Sequence, residues 1–253
     1  MTTQTRLILP DLHIPFHDKA CVRKWLWHAE QLKPDAVDVI GDLIDAYPLS
    51  SFDQNPERRA SLQSELDAAA DFLVELRSRI PATSPIHYSE GNHEQRLRRL
   101  LWSKCSAFAG LRGLTIPELL SEAGANFKDL QITWHPWGKP YRVGPLYIIH
   151  GKKLRKHSGG SARTTSDSAE GSVLLGHCHR MGWSPTTSWS GVRDAWEVGH
   201  LADESKLDWV DSPQQWQKGW AVLHVNKSWA DVSFVRVLPS PRGRRFIYQG
   251  GEL

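Results

Sequence analysis

The sequence predicts an α/β protein on three observations. Aliphatic segments alternate with helical patterns through the first half, strand-like segments follow one another almost without helices in the second, and the aliphatic segments end in Asp, His or Asn. Alternating strands and helices are the pattern of a sheet with helices packed on its faces. With 253 residues, 40% of them hydrophobic, the chain is long enough to bury one full core. The expected organisation is a single domain over residues 1–240, with a helical insertion near 94–123 and a basic C-terminal tail at 241–253.

In chain order, RLILPD (6–11) reads as a strand and residues 19–32 as an amphipathic helix. AVDVIGD (36–42) is the next strand, a Glu/Ala/Leu/Arg-rich helix follows near 57–79, and PIHYSEGNH (85–93) is a third strand. In the helical stretch that comes next, Pro117 starts a short helix at IPELLSEA (116–123). QITWHP, YRVGPLYIIHG, SVLLGHCH, GVRDAWEVG, GWAVLHVN and SWADVSFVRVL then read as strands. This second half is expected to form an antiparallel or mixed sheet laid against the first.

Composition narrows the function classes. Three widely spaced cysteines, Cys21, Cys105 and Cys178, form no CxxC pair, which argues against a disulfide framework and a structural zinc ribbon. No charged segment followed by a long apolar stretch opens the chain, and no run of 18 apolar residues occurs, so a soluble cytoplasmic protein without a membrane partner is expected. The net charge of +3 is too mild to imply a polyanion partner by itself, but basic residues cluster in EQRLRRLLWSK (94–104), GKKLRKH (151–157) and PRGRRF (241–246). Of twelve tryptophans, seven lie between Trp183 and Trp229, where they stack bases, line a pocket, or fill a core or homo-oligomer contact.

The strand ends carry the chemistry. The first finishes with Asp11 and His13, the second with Asp42 and Asp45, the third with Asn92 and His93, PLYIIHG with His150, and SVLLGHCH with His177 and His179. Ligands of α/β proteins gather at strand carboxyl ends, so these scattered segments are expected to converge. Strand alternation places His177 and His179 on one face and turns Cys178 away from it. Glycines at 41, 91, 151 and 176 stand beside these residues, as tight turns require.

Asp11-x-His13, Gly41-Asp42-x-x-Asp45, Gly91-Asn92-His93-Glu94, His150 and Gly176-His177-x-His179 resemble, in order, the five blocks of the calcineurin-like metallophosphoesterase superfamily. The resemblance implies a four-layer α/β/β/α sandwich of two mixed sheets and a pair of divalent cations that hydrolyse a phosphoester. It implies that Asp11, His13, Asp42 and His179 hold one metal and that Asp42, Asn92, His150 and His177 hold the other, with Asp42 bridging. His93 would be the proton donor, steadied by Asp45. Two cations lower the pKa of a bridging water and neutralise charge on the phosphoryl oxygens. A mixed set of oxygen and imidazole donors suits Mn best, with Fe, Zn or Ni also possible.

Subgroup features leave the substrate open. Superfamily phosphoprotein phosphatases carry an arginine directly after GDxxD, where this chain has Ala46. Arg96 stands at the offset of a second phosphate-contacting arginine in those enzymes, which makes it a phosphate-binding candidate. Repair nucleases usually carry GNHD and a capping domain, neither of which is present. The chain looks most like the stand-alone metallophosphoesterases of phages and bacteria. A phosphodiesterase acting on nucleic acid is favoured because Lys152, Lys153, Arg155 and Lys156 start two residues past His150 and would engage flanking phosphates. The alternatives are a phosphomonoesterase for nucleotides or phosphoproteins and a metal-bound scaffold without catalysis.

Overall fold

The computed structural model describes every residue except Met1, Pro56, Arg59, Ala60, Asp208, Trp209, residues 211–213 and Arg242. The predicted helix start near 57, Trp209 of the tryptophan-rich region and Arg242 of the basic tail therefore lie partly or wholly outside the described residues. Strand β1 (Gln4–Leu9) is followed by α1 (Lys19–Leu32), β2 (Ala36–Val39), α2 (Leu62–Arg79), β3 (Ile86–Ser89), α3 (Gln95–Lys104), α4 (Ile116–Glu122) and β4 (Ile132–His135). Then come β5 (Tyr141–Val143), β6 (Leu146–Ile149), α5 (Gly160–Ala169), β7 (Ser172–Leu175), β8 (Met181–Trp183), the ribbon of β9 (Thr186–Ser188) and β10 (Gly191–Arg193), and β11 (Ala195–Val198). The chain closes with β12 (Gly219–Val225), β13 (Ala230–Ser240), β14 (Gly243–Tyr248) and β15 (Gly251–Glu252).

Helix boundaries follow local chemistry. The Asp18 carboxylate caps α1 by accepting from Ala20 N and Cys21 N, Ser61 caps α2, and Thr115 caps α4 with Pro117 in its first turn. Period-two alternation then sorts β1 into two cores. Leu7 and Leu9 pack with Trp25, Leu26, Leu66 and Leu73 of α1 and α2, whereas Ile8 joins Ile148, Leu174 and Trp196 between the two sheets. Ala162 of α5 packs with Val173, Leu175 and Ala195 on the outer face of the second sheet, completing the α/β/β/α order. Among the described residues no helix is long and apolar enough to cross a membrane.

Both sheets are mixed. The larger runs β15-β14-β13-β12-β1-β2-β3-β4 and the smaller β5-β6-β7-β11-β8. This corrects the expectation that the second half forms its own sheet against the first. β12 pairs antiparallel with β1, from Gln4↔Val225 to Ile8↔Ala221, and carries β13 to β15 into the first sheet with it. Hydrophobic alternation identifies a strand but not its neighbour, and both flanks of β1 need a partner. Residues 243–248 and 251–252, expected within a basic tail, are the last strands of that sheet. Trp196 and Trp220 are core residues, Trp183, Trp189 and Trp229 are exposed, and Trp216 is half-buried.

Candidate metal centre

The segments that end β1, β2, β3, β6 and β7 meet at one rim. Asp11, His13 and His179 form one buried group of metal-capable atoms, Asp42 and His150 with the half-buried His177 form a second, and His13, Asp45 and His93 form a third. His13 Nε2 lies 3.0 Å from His179 Nε2, which in turn lies 3.1 Å from Asp11 Oδ2. Asp42 Oδ2 lies 3.3 Å from His150 Nε2 and 4.0 Å from His13 Nε2, so one oxygen faces both groups. Asn92 Oδ1 stands 3.0 Å from His150 Nε2, and the His150 and His177 rings are 5.1 Å apart. His13, Asp42, His177 and His179 all take positive φ, between 50° and 64°. Left-handed backbone at such residues costs on the order of 1–3 kcal/mol each and persists only where the surroundings enforce it. Here the Asp42 carbonyl accepts from both Leu12 N and His13 N.

That geometry also revises how the His-x-His segment works. β7 ends at Leu175, so strand alternation does not orient the pair; two left-handed residues do, and they send His177 and His179 to different groups. Cys178 does turn away. It is buried beside Ala162 and Val173, where burial, and then the charge of Glu197, push its thiol up, so it is inert as a thiolate ligand.

The donor set suits divalent cations. Buried imidazoles and carboxylates present their lone pairs to a common centre, and the carboxylates draw positive charge. Burial opposes protonation of His150, yet Asp42 and its hydrogen bond raise it to about 10. His177 is lowered to about 4 by burial and by His150.

His93 stands beside this cluster. Its Nδ1 contacts the Asp45 carbonyl at 2.7 Å and the Asp45 carboxylate at 3.4 Å, while Nε2 lies 3.9 Å from Asp42 Oδ2. Burial opposes its charge, but Asp42 and Asp45 raise its pKa above the usual imidazole range. Asp45 serves two histidines, since its carboxylate is nearer His13 Nδ1, at 3.0 Å. Arg96 Nη1 reaches the Asp45 carbonyl at 2.9 Å, and Nη2 lies 3.3 Å from His93 Nε2. Lys152, Arg155 and Lys156 are exposed on the loop leaving β6, and Lys153 donates to Ser168 Oγ of α5.

Sequence reasoning missed the residues that hold the loops together. Glu94 is buried, and its carboxylate accepts from Asp42 N, Leu43 N, Ile44 N, Gly91 N and Tyr88 OH, binding the second and third blocks to each other. A Cβ on Gly91 would sit 2.1 Å from Asp42 Oδ1, so only glycine fits that approach. Glu197 of β11 accepts from Gly159 N, Ser161 N and Ala162 N and so ties the start of α5 to the second sheet, while Arg155 N donates to Ser161 Oγ and holds the loop after His150 to α5. His200 is also buried, stacked on His179 with ring centroids 4.9 Å apart. Its position after AWEVG, another strand ending in Gly-His, was the available signal for it.

No known family profile matches the chain. It is 28% identical to the Gene 54 protein of Mycobacterium phage D29 and 26% identical to the Gene 54 protein of Mycobacterium phage L5, each over 96% of both chains. Among solved structures it is similar to Vps29 of Chaetomium thermophilum, with a TM-score of 0.51 and 10% identity over 99% of this chain and 93% of that one.

Proposed function

We propose, for a chain with the calcineurin-like metallophosphoesterase fold, that it is a two-metal phosphodiesterase acting on nucleic acid. The observation that carries the reading is that two donor groups, Asp11-His13-His179 and Asp42-His150-His177, meet at Asp42, one of whose oxygens faces both. Asp11, His13, Asp42 and His179 would hold one cation, and Asp42, Asn92, His150 and His177 the other; Mn suits this mixture of imidazole and oxygen donors. Two such cations polarise phosphoryl oxygens and lower the pKa of an attacking water.

The protein's own groups do the rest. The His93 imidazolium, held at Nδ1 by Asp45, offers its Nε2 proton to the departing oxygen. Arg96, anchored on the Asp45 carbonyl beside His93, supplies a fixed positive charge for the phosphate. Lys152, Arg155 and Lys156, free of carboxylate partners among the described residues, support a polyanionic substrate.

The test is the purified protein with Mn²⁺, assayed side by side on a chromogenic monoester, a chromogenic diester, and single- and double-stranded DNA. Hydrolysis of the diester and of DNA is expected. Asp42→Ala or His150→Ala should abolish it and lower bound metal, and Cys178→Ser should do neither. Hydrolysis of the monoester alone would replace this reading with a phosphomonoesterase in which Arg96 clamps a terminal phosphate. Full metal content in Asp42→Ala would remove the ligand assignment.

A further inference from the structure

A cavity of about 820 Å³ lies on the same rim of the large sheet as the donor groups, and none of the chemistry above uses it. Topology brings it there. β12 runs antiparallel to β1, so Gly219 lies at the end of β1 that leads to Asp11; β13 and β14 reverse in turn, returning residues 236–239 and 243–244 to that rim. Its lining mixes apolar residues, among them Trp216, Phe234 and Leu238, with the cations Lys218, Arg236 and Arg244.

Trp216 is the partition between cavity and donors. Its ring meets His179 edge-on, with centroids 4.4 Å apart, and meets His200 at 5.5 Å. Gln217 N donates to the His179 carbonyl at 2.9 Å, which fixes the segment against the cluster. Charge adds a second constraint. Lys218 and Arg244 both pair with Asp18, the cap of α1, while Arg236 is exposed and has no ion pair among the described residues. Three cations of the lining thus meet two carboxylates, Asp18 behind the lining and Glu204 within it, which leaves surplus positive charge in a cavity that Trp216 also lines.

We propose that this cavity seats the nucleotide unit next to the scissile phosphate, its base on Trp216 and its outer phosphate on Arg236. The inference rests on the nuclease reading above. An aromatic wall accepts any base because every base has a π-face, and an unpaired arginine binds phosphate through its planar fork. A cavity with only the apolar wall would take many ligands; the arginine restricts it to aromatic rings that carry phosphate.

Calorimetric titration tests it. The full-length protein is titrated with AMP, adenosine and inorganic phosphate, in Mn²⁺ and again in EDTA. AMP is expected to bind in both conditions, with adenosine and phosphate each at least about tenfold weaker, and Trp216→Ala or Arg236→Glu should weaken AMP roughly tenfold. Arg236 is on an exposed strand position, so Arg236→Glu carries the test if Trp216→Ala fails to fold. AMP binding that is absent, or that both variants leave unchanged, overturns the subsite. DNA cleavage without AMP binding would remove the subsite and leave the nuclease reading standing; AMP binding without cleavage of DNA would do the reverse.

Discussion

His93 and Glu65 are buried ionisable residues whose surroundings make opposite demands. Asp45 and Asp42 favour the charged form of His93, as a general acid needs. His93→Ala should therefore keep its metals and lose about 10²–10⁴-fold in rate on alkyl phosphodiesters, but far less on nitrophenyl esters, whose leaving group needs no proton. Equal losses on both ester types, measured as kcat/KM, would show that His93 binds substrate instead. Glu65 on α2 accepts from Tyr47 N at 3.1 Å with one oxygen, and the other has no hydrogen-bond partner. Burial, and then the charge of Asp45, push its carboxyl up to about 8. An unfolded glutamate ionises near pH 4.3. Between those values the folded chain holds a proton that the unfolded chain has released, so stability falls as pH rises from about 4.3 toward 8 and is flat above. Glu65→Gln should remove that slope: in EDTA its Tm should match wild type near pH 4 and exceed it at pH 8. A Tm difference that does not change with pH would show that Glu65 is ionised throughout.

At the level of elements, the loop after β6 separates the two classes of substrate. Replacing Lys152, Lys153, Arg155 and Lys156 by Ala should weaken DNA cleavage and flatten its dependence on salt, because every cation taken away from a DNA phosphate reduces counterion release by nearly one ion. A small chromogenic diester, lacking flanking phosphates, should be cleaved at an unchanged rate. Rate against salt for both proteins on both substrates measures this, and parallel curves on DNA would leave GKKLRKH an ordinary solvated loop. Elements with a strong period were legible in the sequence: α1 spans the predicted 19–32, and β1, β2, β3, β6 and β7 stand where aliphatic runs precede Asp, Asn or His. The three-residue strands β8 and β9 were not, because a segment that short, with Gly, Ser and Thr among its residues, shows no periodicity, and β10 was read as one strand with β11 in GVRDAWEVG. The assignment of β12 and β13 failed differently. Their alternation was plain, but which strand edge they meet is a property of the assembled sheet, and β14 and β15 were hidden by the basic residues that made 241–253 read as a tail. Glu94 shows the same limit at the site, since a glutamate opening a helix reads as a favourable N-terminal charge until its five donors are seen.

Across the whole molecule, the donor groups depend on strands made far apart. Asp11 leaves β1, and β1 is held on one flank by β2 and on the other by β12. A chain ending at residue 217 lacks β12 to β15, and with them Ala221, Leu223 and Val225 of the core between the sheets, and it exposes the β1 edge. It should lose the cooperative thermal transition and elute as aggregate on size exclusion; a monomer with a sharp melt would show that β12 is dispensable. The Gln4↔Val225 pairing also governs how the protein is made. At synthesis rates of about 5–20 residues per second, β1 leaves the ribosome roughly ten to forty seconds before its partner strand exists. For that interval the nascent chain carries an aliphatic strand with one open edge, the kind of edge on which neighbouring chains join. Translation speed and chaperone supply, neither of which touches the finished fold, therefore set how much of it is recovered from a cell.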